Sequence, residues 1–408
     1  MKMMHGHLAV DAPENVPAWD VDPYDPEILA NPTDYYAELR AKGPFVYLTR
    51  YAMLATGRYP ETREVFSDHE RFVSSRGVGL QDFSLEEPWR PASIVLEVDP
   101  PAHTRTRTVL GRALAPKAIR ALKDDFQQAA DKLVDELLET GTFEAVVDLA
   151  EAFPTSVFPG AVGLTNPDPR RLVDYGAMVF NAVGPDNELR RNAMAMGPDI
   201  VPWITENCQR ENLTDDGFGA FIYAAADDGE ITHDEAGMLV RSLLSAGVDT
   251  TVTGIGSAIW CLANNPAEFE RLKADPKLAR PAFEETLRLT SPVHSFCRTA
   301  NLDSDVSGVK IATGTKILCV LGSANLDDQE WPEPDRFDIS RMPGGHLALG
   351  TGVHACVGQV LARAELEAVL TAVANKVDGI ELAGEAVWRP NNAIHALDRL
   401  PVTFSRKQ

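Results

Sequence analysis

Cysteine is scarce: Cys208, Cys261, Cys297, Cys319 and Cys356 are all that 408 residues contain. An odd number with no paired spacing excludes a disulfide framework and points to reduced thiols in the cytoplasm. Basic residues are also few, 38 against 60 acidic ones, and the net charge of −22 disfavours nucleic acid as a partner. No apolar run is long enough to span a bilayer. The best one, Thr250–Ala263, is short and preceded by Arg241 and Asp249, and the N-terminus lacks a signal-peptide core, so no membrane anchor is expected. The dinucleotide-binding and P-loop glycine patterns are missing, which leaves no fused flavin or nicotinamide domain. Gly/Ser linkers, repeats and low-complexity runs are absent, and residues 1–408 are expected to form one domain.

What is present reads as mainly α with a small β region. Residues 1–35, rich in Pro and Asp, are expected to wrap the surface. "FVYLTRYAMLAT" (Phe45–Thr56) predicts two short strands, and "PETREVFSD" a capped helix. Residues 74–100 lack periodicity and carry many breakers; a loop that long inside a compact domain is usually functional, and it is expected to be a flexible substrate-access loop. From His103 onward apolar residues recur at helical spacing. The stretch Asp234–Asn265, apolar nearly all round, would reach about 45 Å as one central helix at 1.5 Å per residue.

One cysteine stands apart. "LGTGVHACVG" sets Cys356 among Gly350, Gly352 and Gly358, directly before a helical run. A lone cysteine is most often a buried inert thiol. A zinc site lacks its second pair of ligands, and a nucleophilic thiol would need a base that sequence cannot locate. A metal-bound thiolate, the sole protein ligand of an iron porphyrin, accounts for the local design best. The helix N-terminus offers free N–H groups and a positive dipole end to a thiolate. The glycines let backbone approach a flat macrocycle and turn sharply. His354 is placed to meet an anionic haem propionate.

This loop resembles the haem-binding loop of the cytochrome P-450 family, the haem-thiolate monooxygenases. It departs once: Leu349 stands where the family usually has Phe, which bears on the shell around the sulfur. Three further motifs agree in order along the chain. Glu285-x-x-Arg288, followed by Arg336, is similar to the family's structural triad; at i,i+3 the first two share a helix face. "AGVDTT" (Ala246–Thr251) resembles the oxygen groove of the central helix. Splitting dioxygen needs protons delivered while bulk water is kept away, and Asp249 is costly to bury without such a task or a partner. The resemblance makes Thr250 the group that hydrogen-bonds the dioxygen and Asp249 its proton relay, with Gly247 leaving space. "HTRTR" looks like the family's propionate-gripping His103 and Arg107, and "SFCRTA" adds Arg298 with Phe296 before it.

The resemblance implies the P-450 fold and haem b clamped between the Cys356 loop and the Asp249–Thr250 helix. It also implies O2 chemistry driven by NAD(P)H electrons through a ferredoxin reductase and an acidic iron–sulfur ferredoxin. Asp249 and Thr250 argue against a haem-thiolate sensor, which needs no relay, and against a peroxide-driven enzyme. Pro101–Lys123, with Arg105, Arg107, Arg112, Lys117, Arg120 and Lys123 and no acid, forms a basic island suited to steering that ferredoxin. Within the family the chain looks most similar to soluble bacterial members that oxidise para-substituted benzoates, for example by O-demethylating 4-methoxybenzoate. Another small hydrophobic substrate, a terpenoid or fatty acid, is the alternative. On the benzoate reading Arg90 and Ser93 with Arg241 and Ser242 receive the carboxylate. Phe180, Val183, Val293 and Phe296 sandwich the ring and aim the para group. Val183 replaces a larger aromatic of that subgroup, which makes room for bulkier para substituents.

Overall fold

The computed structural model describes residues 2–407. Helices build most of it. Those used below are α1 (Tyr59–Ser67), α2 (Ala102–Ala113), α3 (Lys123–Thr140), α4 (Pro169–Ala182), α5 (His233–Ala246), α6 (Asp249–Asn264), α7 (Ala279–Thr290) and α8 (Gln359–Lys376). Each has a sequence reason. In α3 the buried positions Phe126, Ala130, Val134 and Leu137 recur at three and four residues, one stripe against α8. A capping box opens α5, with Thr232 accepting from Glu235 N–H and the Glu235 carboxylate accepting from Thr232 N–H. In α6 only Thr250, Trp260, Ala263 and Asn264 escape burial, so this helix runs through the middle of the core.

The sheet is small and lies to one side. Its strands are Ala18–Trp19 (β1), Val46–Leu48 (β2), Met53–Thr56 (β3), Phe72–Val73 (β4), Ser295–Ala300 (β5) and Lys316–Val320 (β6), in the order β1-β2-β3-β6-β5-β4. The two strands expected within Phe45–Thr56 are thus both present and pair antiparallel. Near the C-terminus Val387–Arg389 (β7) pairs with Ala396–Arg399 (β8). Between Val73 and Ala102 no helix or strand forms, as the breakers of that segment require.

Three expectations need correction. The central helix is interrupted: α5 ends at Ala246 and α6 begins at Asp249. A Cβ at Gly247 would lie 2.3 Å from the Phe158 ring, so the chain can pass there only without one. The hydroxyls of Thr250 and Thr251 donate back to the carbonyls of Ala246 and Gly247 at 2.7 and 3.0 Å, a pattern that bends helices. Second, α1 forms but carries no side-chain cap, because Arg58 occupies its N-cap. Third, the structural triad has a different third member. Glu285 and Arg288 pair at 2.8 Å with both side chains wholly buried, but Arg341, not Arg336, donates to Glu285, at 3.0 Å. The Arg336 side chain turns outward to Glu333 and Asp338, and only its carbonyl faces Arg288.

Candidate active site

Cys356 closes a loop that two glycines shape. Gly350 and Gly352 have φ of +68° and +69°, and a Cβ at Gly352 would meet the Ser67 carbonyl oxygen at 2.8 Å. The loop is pinned by Cys356 N–H donating to the Leu349 carbonyl at 2.8 Å and by Arg107 donating to the Ala355 carbonyl. The start of α8 follows at once. Burial raises the Cys356 thiol, while the Gly358 N–H, the charges of Arg107 and Arg363 and the Gln359 N–H pull it back down. These are the groups that would hold a metal-bound thiolate. Leu349 packs against the main core beside the loop and leaves this backbone framework intact.

Next to the loop lies a knot of basic side chains. The Arg298 guanidinium sits 3.9 Å from the centre of the Phe66 ring, and the His103 and His354 rings are 4.5 Å apart. Arg298 Nη2, His103 Nε2 and His354 Nε2 are all buried without a hydrogen-bond partner. Burial, with His354 and Arg107 adding to it, lowers His103 to about 4, so its ring is neutral at pH 7. Unsatisfied buried donors beside an arginine are expensive unless an anion completes them. Asp99, which the sequence reading missed, is the acid of this knot, 3.7 Å from His354. Burial alone would raise it, but the nearby His354 ring and the donating backbone N–H groups of Ser74 and Ser75 hold it well below the usual carboxylate range.

Thr250 and Cys356 face one cavity of about 280 Å³. Arg107, Arg298, His354, Gly350 and Gly358 line it too, as do all eight residues assigned to substrate: Arg90, Ser93, Phe180, Val183, Arg241, Ser242, Val293 and Phe296. Asp249 does not; it lies behind Thr250, 1% exposed, its Oδ1 3.4 Å from Arg389 Nη2 and its Oδ2 without a partner. Burial raises its carboxyl against the pull of Arg389. Sequence reasoning also missed Glu365, a buried cavity residue 3.5 Å from the Thr251 hydroxyl, which burial pushes up to about 8. Among the polar substrate candidates, Arg90 and Arg241 both donate to the Pro91 carbonyl, at 2.9 and 3.0 Å, so two guanidiniums converge on one point. Arg90 also pairs with Glu97 at 2.9 Å. Ser93 Oγ accepts from Leu96 N–H and Ser242 Oγ donates to the Met238 carbonyl.

The basic island is largely compensated. Arg105 pairs with Glu235, Arg112 with Glu230 and Lys123 with Glu367, while Arg107 turns inward. Of its exposed cations, only Lys117 and Arg120 have no acidic partner among the described residues.

A thiol at a helix start, Thr250 on the same cavity and buried nitrogen donors without partners beside the loop are the features of a haem-thiolate protein. Comparison with known proteins agrees. The family model for cytochrome P-450 matches residues 171–376. Cytochrome P-450 CYP199A2 of Rhodopseudomonas palustris is 50% identical over 391 residues, covering 96% of this chain and 95% of that one. The beta-dihydromenaquinone-9 omega-hydroxylase of Mycobacterium tuberculosis is 31% identical, covering 95% and 78%. The solved structure of cytochrome P-450 CREJ in complex with (4-ethylphenyl) dihydrogen phosphate superposes with a TM-score of 0.82 at 25% identity, covering 94% of this chain and 99% of that one. The chain belongs to the cytochrome P-450 family. It is a monooxygenase, and its cofactor is haem b with a cysteine thiolate as axial ligand. Among the described residues no helix is long and apolar enough to cross a membrane.

Proposed function

We propose that this P-450 oxidises a small aromatic carboxylate at its para substituent, as in O-demethylation of 4-methoxybenzoate, with electrons from NAD(P)H through a reductase and an acidic ferredoxin. The observation that carries the substrate class is the convergence of Arg90 and Arg241 on the Pro91 carbonyl at the wall of the cavity that Phe180, Val183, Val293 and Phe296 also line. Glu97 already neutralises Arg90, so the carboxylate's charge partner is Arg241, with the Ser93 hydroxyl as donor, since it only accepts from Leu96 N–H, while Ser242 gives its proton to the Met238 carbonyl and serves as polar wall. Arg241 lies on α5 and Thr250 in the first turn of α6 beyond the break, and both line the cavity, so separate helices hold the carboxylate end and the reacting end of the ring. Phe180, Val183, Val293 and Phe296 form one apolar cluster with Ala393 and Ile394, walls that fix the ring plane. The solved structure of CREJ is in complex with (4-ethylphenyl) dihydrogen phosphate, which likewise joins a para-substituted ring to an acidic head group. All five cysteines are free, in keeping with a cytoplasmic enzyme. Lys117 and Arg120 are the cations available to an acidic electron donor.

The test is a titration of the haem spin-state shift with 4-methoxybenzoate, its methyl ester and its meta isomer. A charge-assisted hydrogen bond contributes about 1.5–3 kcal/mol, so the acid should bind about ten- to a hundredfold more tightly than the ester. Equal binding of acid and ester would refute the carboxylate reading and leave the monooxygenase untouched.

When bound, haem supplies the redox chemistry that inserts one oxygen atom of O2 into a C–H bond. In this reading Cys356 is its ligand, and Arg298, His103, His354 and Arg107 hold its propionates. The apolar walls keep bulk water out; the Thr250 hydroxyl gives its own proton to the Ala246 carbonyl, so its lone pairs would accept and orient the proton donor in the cavity, and Asp249 would renew that proton. Thr250→Ala should therefore leave NAD(P)H oxidation running while product falls and hydrogen peroxide rises. A Thr250→Ala enzyme that stays fully coupled would remove Thr250 from this role.

A further inference from the structure

Asp249 has an access problem. It is 1% exposed and does not line the cavity, so a proton from solvent must reach it through protein. One side chain connects it outward. Arg389 comes from β7 with 31% of its side chain exposed, touches Asp249 Oδ1 at 3.4 Å, and has a buried Nε without a partner. A second acid stands on an element packed against α6. The segment Val146–Glu151 is a single π-helical turn packed along α6, and its last residue, Glu151, is half-buried within the fields of Arg170, Arg389, Asp249 and Asp174. π-turns often occur where a site needs a side chain re-aimed. The neighbouring helix α4 makes room: a Cβ at Gly176 would lie 2.6 Å from the Asp249 Cβ. Four elements (the π-turn, α4, α6 and β7) thus converge on one buried carboxyl, one guanidinium and one carboxyl nearer solvent.

We infer that Arg389 is the positioning residue of Asp249 and that Glu151 is the solvent-side group through which protons reach it. Arg389 fixes Oδ1, so Oδ2 is the atom that takes and releases the proton. Glu151 takes a proton from solvent onto a carboxylate oxygen and releases it inward, Asp249 Oδ2 takes it up and hands it on toward Thr250, and Arg389 keeps all of its own protons throughout. No bond other than O–H is made or broken. This inference rests on the reading of Asp249 as a relay.

The experiment compares Arg389→Met, Arg389→Lys, Glu151→Gln and Asp249→Asn in the haem-loaded enzyme, by product per NAD(P)H, solvent isotope effect and substrate-binding titration. A positioned proton donor contributes at least about a hundredfold, and loss of its anchor should remove about tenfold of that. Arg389→Met should lower product per NAD(P)H by that factor with substrate binding unchanged and the solvent isotope effect raised. Arg389→Lys should restore most of it, and Glu151→Gln should show a smaller loss with the same isotope signature. Unfolding midpoints supply a readout independent of turnover. Arg389→Met should lower the midpoint in the native background and leave it nearly unmoved in the Asp249→Asn background, since the two side chains act as a pair. If Asp249→Asn is impaired while Arg389→Met stays coupled, or the midpoint falls equally in both backgrounds, the role of Arg389 is overturned. A fully coupled Glu151→Gln removes Glu151, and a fully coupled Asp249→Asn overturns the relay itself.

Discussion

Cys356→Ala should reduce monooxygenase turnover to background, and Cys356→His should give a reduced carbon monoxide adduct without the strongly red-shifted Soret band of thiolate ligation. Only a thiolate supplies the electron push that assists O–O cleavage. The other four cysteines offer no substitute. Cys208, Cys261, Cys297 and Cys319 are all buried away from the cavity, and burial pushes Cys208 and Cys319 up to about 12 and Cys297 to about 11. Both variants should keep the loop, because its anchors do not involve sulfur: the Cys356 N–H bond to Leu349, the Arg107 bond to Ala355, and the left-handed Gly350 and Gly352. The loss is therefore chemical, and far-UV circular dichroism of the variants should match the parent. Turnover retained in Cys356→Ala would refute ligation by this residue.

The haem loop was legible because its features are local. Positive-φ glycines, a helix start and a cysteine within ten residues leave a pattern that no distant contact alters. Convergence of His103, Arg107, Arg298 and His354 was legible only through the shared family register, since each alone reads as a surface side chain. What the sequence hid is long-range or set by loop geometry. Arg389 lies 140 positions from Asp249, and nothing in "AVWRP" distinguishes that arginine from any exposed one. Glu365 sits on a helix face that reads as an ordinary polar position, until the fold turns it onto the cavity. The break between α5 and α6 was masked by near-continuous hydrophobicity, and the close approach of Gly247 to Phe158 at that point joins segments far apart in the chain. In the basic island the local count of charges was right, and its field was overestimated because Glu230, Glu235 and Glu367 arrive from elsewhere.

The same distinction ranks the arginines behind the haem loop. Arg288 donates through Nε and Nη2 to both oxygens of Glu285, and its Nη1 reaches the carbonyls of Asn325 and Pro334 at 2.9 and 2.8 Å. Removing it by Arg288→Ala leaves a buried carboxylate with Arg341 as its only charged partner and strips two carbonyls of their donor. Breaking one side of such a buried pair costs about 3–5 kcal/mol, a large share of the roughly 5–15 kcal/mol by which domains are stable. Arg341 is the outer partner, 13% exposed, and donates to Glu285 at 3.0 Å and to carbonyls of the loop before the haem segment. Arg341→Ala should cost about 1–3 kcal/mol, the range for a hydrogen bond to a charged group. Arg336, 56% exposed and paired with a still more exposed Glu333, should show no change beyond error. Denaturant unfolding of the haem-loaded protein, followed by Soret absorbance and by circular dichroism, should give the order Arg288→Ala, then Arg341→Ala, then Arg336→Ala. Substituting by position along the chain would have made Arg336 the second most damaging site. An Arg336→Ala loss as large as that of Arg341→Ala would mean that Arg336 reaches the buried pair in solution and Arg341 does not.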